Sequence, residues 1–129
     1  MEKISIKATS KTPQVEFNPD SGVLEITGRS IPENSVDFYK PILEWLDDYT
    51  KIAKDNKQTV FKFQLEYFNT SSSKCILDIF RKLEKLYTDN VNIVIKWYYE
   101  EDDEDMYESG EDFKEIMDIP VELVEIKEA

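Results

Sequence analysis

From Thr59 to Phe68 the chain reads TVFKFQLEYF, with Phe61, Phe63, Leu65 and Tyr67 on one face and Lys62, Gln64 and Glu66 on the other. That is the two-residue period of a half-buried strand. On either side the period lengthens. Tyr39, Ile42, Leu43, Leu46, Tyr49, Ile52 and Ala53 recur at three and four, as do Ile76, Ile79, Phe80, Leu83, Leu86 and Tyr87. These stripes predict one helix after the capping-type residues Glu33-Asn34-Ser35, running to about Asn56, and a second from Lys74 to Tyr87. Pro41 complicates the first helix: either an isolated turn precedes it and Pro41 begins the main body, or the helix kinks there.

Three short strands are predicted ahead of these, at Ile4 to Ala8, Val15 to Asn18 and Val23 to Thr27. Pro19-Asp20-Ser21-Gly22 supplies turn chemistry between the last two, which makes them a hairpin. Beyond the second helix, Val91 to Tyr99 (VNIVIKWYY) is almost continuously apolar, the pattern of a strand buried on both faces. Phe113, Ile116 and Met117 suggest a short helix, Pro120 stops it, and Val121 to Ile126 reads as a last strand. The order β-β-β-α-β-α-β-α-β requires crossover connections, so the expected fold is α/β: a mixed sheet with an antiparallel edge, a parallel portion and helices packed on it. A length of 129 residues suits a single domain over 1–129.

Composition narrows the function classes. With 16 basic and 28 acidic residues the formal net charge is −12, a field that repels nucleic acid and anionic membranes and favours basic protein surfaces or cations. Histidine is absent, which removes the commonest general base and transition-metal ligand. Gly22, Gly28 and Gly110 stand isolated, so no glycine-rich phosphate loop exists. No cofactor is implied. The lone Cys75 permits no internal disulfide and reads as a small core residue. No secretion signal or apolar run of membrane-spanning length occurs, which points to the cytoplasm.

One biased segment remains. Between Glu100 and Asp112, nine of thirteen residues are Asp or Glu, which reads as a solvated acidic loop, a protein-docking surface, or a weak Mg²⁺ or Ca²⁺ site. An Mg²⁺-dependent enzyme would have to draw on Asp102, Asp103 and Asp105. A purely acidic decoy for a basic surface is the other use of such charge.

Between the central strand and the second helix lie four hydroxyl residues in a row, Thr70, Ser71, Ser72 and Ser73. One reading is capping, since serine and threonine satisfy the free N–H groups at a helix start. The other is modification: a helix N-terminus tolerates a phosphate dianion, and a phosphoryl group placed there would change how the surface meets a partner. No Glu or Gln follows three residues after any of them, so no capping box selects one as the cap.

Three blocks, LEITGRSIPENS (Leu24 to Ser35), FQLEYFNTSSSK (Phe63 to Lys74) and WYYEEDDEDMYESGEDF (Trp97 to Phe113), together resemble the SiaC-type bacterial regulatory phosphoprotein family. That family is similar in topology to the STAS domains of anti-sigma-factor antagonists, which carry a phosphorylated serine or threonine at the start of their second helix. The resemblance implies a non-enzymatic switch. Its unphosphorylated form binds and activates a diguanylate cyclase, a serine/threonine kinase phosphorylates a threonine in the FNTSSS block, and a PP2C-type phosphatase reverses this. Here that threonine is Thr70, with Ser71, Ser72 and Ser73 as alternatives. Because parallel strands gather their following loops on one side, the expected partner-binding surface is Glu33, Asn34, Asn69, Thr70 and Ser71, with Tyr98, Asp102 and Asp103 as additional candidates. A partner switch acting on another effector is the alternative.

Overall fold

In the computed structural model, which describes residues 1–127, six strands lie in one sheet in the order in which they occur along the chain. The strands are β1 (Ile4–Ile6), β2 (Gln14–Asn18), β3 (Val23–Ser30), β4 (Thr59–Phe68), β5 (Ile93–Glu100) and β6 (Val121–Ile126). The first three pair antiparallel and the last four parallel. Each parallel step is bridged by a helix: α1 (Ser35–Tyr49), α2 (Thr70–Thr88) and α3 (Glu104–Ile116). Successive crossovers advance across the sheet in one direction. Since such crossovers are right-handed, all three helices fall on the same face.

The burial pattern agrees. Val15, Phe17, Leu24, Ile26, Phe61, Phe63, Ile95 and Trp97 are buried beneath the helices. Their neighbours on the other face form a charged row, with Glu16 opposite Glu25, Glu25 opposite Lys62, Lys62 opposite Lys96 and Lys96 opposite Glu122. Lys62 reaches Glu25 at 3.5 Å. The molecule is therefore two-layered, and β5 is not covered on both sides. Lys96 and Tyr98 look out half-buried from the uncovered face, and the apolar run in the sequence reflects Val94 and the aromatic rings rather than a second helix layer.

The core is held by aromatic contacts at its centre. The Phe63 ring lies 4.5 Å from Phe61, 5.2 Å from Phe80 and 5.4 Å from Trp97, and Phe113 of α3 closes the cluster at 4.8 Å from Phe80. Helix α1 runs unbroken through the exposed Pro41, so no separate first turn exists. It stops at Tyr49, short of Asn56. The Tyr49 hydroxyl bonds the buried Thr59 hydroxyl at 2.7 Å, and Asn56 donates to both Tyr49 and the Pro19 carbonyl. These bonds turn the chain back toward the sheet, while Ala53 stays buried from a short 3-10 turn, Ala53–Asp55. The hairpin turn ends as expected on Gly22, whose φ of +75° suits glycine.

The acidic segment departs from expectation. It is not a loop: α3 begins inside it, at Glu104, with Asp103 as the cap that accepts from the Met106 N–H. Acidic side chains are favourable in a first turn, where they face the positive end of the helix dipole. Met106, Gly110 and Phe113 form the buried stripe, which nine carboxylates concealed in the sequence. Among the described residues no helix is long and apolar enough to cross a membrane.

Gly110 marks the tightest helix-to-sheet approach. A Cβ there would lie 2.5 Å from Trp97 Cδ1 and 2.7 Å from Leu123 Cδ2. Gly110→Ala is therefore expected to destabilise by about 1–3 kcal/mol through overpacking, despite the better helix propensity of alanine. Chemical denaturation measures it, and an unchanged or raised midpoint contradicts the packing account.

Candidate functional site

Parallel strands deliver the start of each helix to the carboxyl edge of the sheet, which places the first turns of α1 and α2 side by side. Each is capped by an asparagine. Asn34 accepts from the Asp37 N–H at 3.1 Å and donates to the Asp37 carboxylate at 2.9 Å. Asn69 accepts from the Ser72 N–H at 2.8 Å. The cap of α2 is thus none of the hydroxyl residues. Thr70 is the first residue of the helix, four positions before the expected start at Lys74, because Asn69 supplies the cap and Ser72 the first buried contact.

The four hydroxyls of this turn have separate surroundings. Ser72 is fully buried; its hydroxyl donates to the Ser30 carbonyl at 3.0 Å and accepts from the Ser30 hydroxyl at 2.8 Å. A serine has one proton to give, so the Ser30 hydroxyl, committed to Ser72, must accept from the Tyr39 phenol 2.6 Å away. The chain of donors runs from α1 through the end of β3 to α2. Ser71 shares a 2.7 Å hydrogen bond with Ser35 of α1 and donates to Asn69 at 3.1 Å. Ser73 is half-buried, its N–H bonded to the Asn69 carbonyl. Thr70 is exposed, and its hydroxyl has no hydrogen-bond partner among the described residues.

Tyr39 is the perturbed group of this network. Burial pushes its phenol up to about 12. The proton it donates to Ser30 is therefore held throughout the neutral range.

The structure brings Glu33, Asn34, Asn69, Thr70 and Ser71 onto one edge. Lys11, from the loop between β1 and β2, stands 3.7 Å from Glu33. Two apolar side chains flank this edge: Val36, 71% exposed, and Tyr67, 53% exposed although the alternation of β4 assigned it to the buried face; the register shift that leaves Glu66 as an extra residue breaks that alternation after Leu65. Val36, Ser30, Ser35 and Tyr39 were missed as site residues. Val36 alone carried a legible signal, an apolar residue off the buried stripe of its helix. Asp103, capping α3, and Asp102, exposed beside it, follow β5 at the same carboxyl end of the sheet, whereas Tyr98 looks out from the uncovered face. Among the described residues no cluster of three or more acidic or thiol side chains is arranged to hold a metal ion.

Comparison with known proteins shows the family. Residues 6–126 match the model of a family described as SiaC family regulatory phosphoprotein. The chain belongs to the SiaC family. It is 28% identical over 120 residues to a protein of Pseudomonas aeruginosa (strain UCBPP-PA14), covering 93% of this chain and 94% of that one. Among solved structures, apo-SiaC from Pseudomonas aeruginosa superposes with a TM-score of 0.87 at 27% identity, over 96% of this chain and 99% of that one. SiaC in a crystal structure of the diguanylate cyclase SiaD with its activator SiaC superposes with a TM-score of 0.89 at 26% identity, over 95% and 99%. The mixed α/β architecture is that of SiaC, and Thr70 occupies the first position of the second helix.

Three substitutions test the geometry of this SiaC-family edge. Asn69→Ala should cost about 1 kcal/mol of stability by removing the cap, and Ser72→Ala about 1–3 kcal/mol by leaving the Ser30 hydroxyl without its acceptor. Both are read by denaturant titration, and a cost near zero for Ser72→Ala contradicts the donor chain. For Tyr39 the sign is set by its raised value. The unfolded chain loses this proton near pH 10 and the folded protein near 12, so the stability it contributes is intact below pH 10. It falls by about 1.4 kcal/mol per pH unit between the two. Tyr39→Phe should therefore lose less stability than the parent over that interval, and parallel profiles contradict the assignment.

Proposed function

We propose that this protein is a non-enzymatic, phosphorylation-controlled switch whose unphosphorylated form binds and activates a diguanylate cyclase through the edge formed by the starts of α1 and α2. A serine/threonine kinase places a phosphoryl group on Thr70, which blocks the interaction, and a PP2C-type phosphatase removes it. The protein acts in the cytoplasm. The observation that carries this reading is the division of labour in the first turn of α2: Ser72 is buried, Ser71 holds α1, Asn69 caps the helix, and Thr70 alone is both exposed and unengaged. Membership of a family of regulatory phosphoproteins and the SiaC–SiaD complex formed by a relative support the choice of modification and partner.

The electrostatics explain why one group suffices. A phosphothreonine adds about −1.5 to −2 charge at a position where the N–H groups of the helix start favour an anion, so the fold accepts it. A partner that closes over Thr70, Asn69 and the exposed Val36 would have to bury that dianion without compensation. This typically weakens binding by several kcal/mol.

Titration of the cognate cyclase with defined forms of the protein tests the reading. The unmodified protein and Thr70→Ala should bind alike and raise cyclase activity, Thr70→Ala should accept no stoichiometric phosphate, and the phosphorylated protein should bind at least about 100-fold more weakly. Its thermal midpoint should stay level or rise slightly, as expected for an anion at a helix start. Equal affinity of the modified and unmodified forms would falsify the switch. A flat cyclase titration with phosphate still mapped to Thr70 assigns the switch to another effector.

A further inference from the structure

The ladder between β4 and β5 ends at Phe63 and Trp97, although both strands continue. β4 stays paired with β3 as far as Phe68 opposite Ser30, and β5 with β6 as far as Glu100 opposite Ile126. The carboxyl half of the sheet is thus split between Gln64–Phe68 and Tyr98–Glu100. A bulge accompanies it. The register shifts between Gly28 and Arg29, which face Leu65 and Tyr67 and leave Glu66 as the extra residue, and Gly28 takes the φ of +110° that this bend needs. Such a bulge bends its strand and sharpens the local twist, at the same level at which the pairing of β4 with β5 ends.

On the helix side the split is sealed. The Phe68 ring meets Trp97 edge-on at 6.0 Å, and the Trp97 indole N–H is fixed to the Met106 carbonyl at 3.0 Å. On the uncovered side it opens as a cleft of about 360 Å³, whose walls include Thr27, Gln64, Glu66, Tyr98, Glu100 and Asp103. The main-chain groups of β4 that would pair with β5 in a continuous sheet face this gap instead. No lysine or arginine lines the cleft among the described residues. Arg29 stands opposite Tyr67, and Lys62 and Lys96 pair one position before the ladder ends.

We infer that this cleft is a second docking site, distinct from the Thr70 edge, that receives an extended, basic segment of a partner protein. Two features select that occupant. Unpaired strand edges are satisfied by another extended main chain, the mode by which peptides add to sheets, and the carboxylates of Glu66, Glu100 and Asp103 complement arginine or lysine side chains. Charge alone does not define the site, because the acidic surface of α3 offers as many carboxylates without a strand edge to pair with.

The test is an NMR titration of the full-length ¹⁵N-labelled protein at physiological salt with a nine-residue peptide of alternating arginine and valine, and with the matching glutamate–valine peptide. The arginine peptide should shift amides of Gln64 to Tyr67 and Tyr98 to Glu100, and the glutamate peptide should not. Glu66→Lys/Glu100→Lys should weaken binding at least tenfold, with Glu66→Gln/Glu100→Gln as the milder variant if charge reversal disturbs the fold. Glu108→Lys/Glu111→Lys on α3 and Thr70→Ala should leave binding unchanged. Thr70→Ala thereby keeps this result separate from that of the phosphorylation switch. Shifts spread over α3, insensitivity to the Glu66 and Glu100 changes, or no shifts at all would overturn the inference. If dilution of the protein alone moves the cleft amides, the occupant is a second copy of this chain, and the inference is likewise overturned.

Discussion

A single buried hydroxyl, that of Ser72, fixes the relation between the sheet and the first two helices. It accepts a hydrogen bond from the Ser30 hydroxyl and donates one to the Ser30 carbonyl, so the end of β3 and the start of α2 are joined twice at one atom. The Tyr39 phenol completes the sequence from α1. Each hydroxyl in this chain has its donor and acceptor assigned by the next, and no buried side-chain polar atom among the described residues lacks a partner. A network satisfied in this way specifies one arrangement of three elements, because any slippage leaves a buried hydroxyl unpaired. The Ser35–Ser71 bond extends the same tie to the surface.

That rigidity gives the exposed edge its meaning. Capping and modification, which compete as explanations of the hydroxyl cluster when only the sequence is considered, are both accommodated once each residue has its place. Asn69 takes the cap, Ser72 and Ser71 take structural bonds, and Thr70 is left with a free hydroxyl on a helix start held firmly against its neighbour. A phosphoryl group there meets favourable local electrostatics and leaves the core untouched. Its consequences are confined to whatever binds the edge, which is the property a switch requires.

Much of the architecture was legible in the sequence because the core patterns are strong. The alternation in TVFKFQLEYF as far as Leu65 and the stripe from Ile76 to Leu86 mark elements whose buried faces the structure reproduces, while Tyr67 and Tyr87, expected on those faces, are exposed, and the strand and helix order follows from the patterns. Three things were obscured. The early start of α3, at Glu104, was hidden because its buried stripe includes a glycine and lies within a run of acids that are favourable in its first turn. The end of α1 was overrun because Ala53 remains buried after the helical hydrogen bonds cease. The openness of one sheet face was masked by Val94 and Tyr98, whose apolar character suggests a cover that is absent among the described residues. At the site, Asn34 and the neighbours of Thr70 stood in the sequence, Asn69 as a surface residue rather than as the cap that was sought among the hydroxyls, whereas Ser30 and Tyr39 lie 42 and 9 positions from their hydrogen-bond partners Ser72 and Ser30. No local pattern announces such pairings.

The central claim is that Thr70 carries the regulatory phosphate. Intact-mass and fragmentation mass spectrometry of the protein isolated from its native cells, with phosphatase inhibitors present throughout, tests it most directly. One phosphoryl group mapped to Thr70 is the expected result. Phosphate mapped to Ser71, Ser72 or Ser73 with Thr70 unmodified, or a clean unmodified mass under all growth conditions, would contradict it.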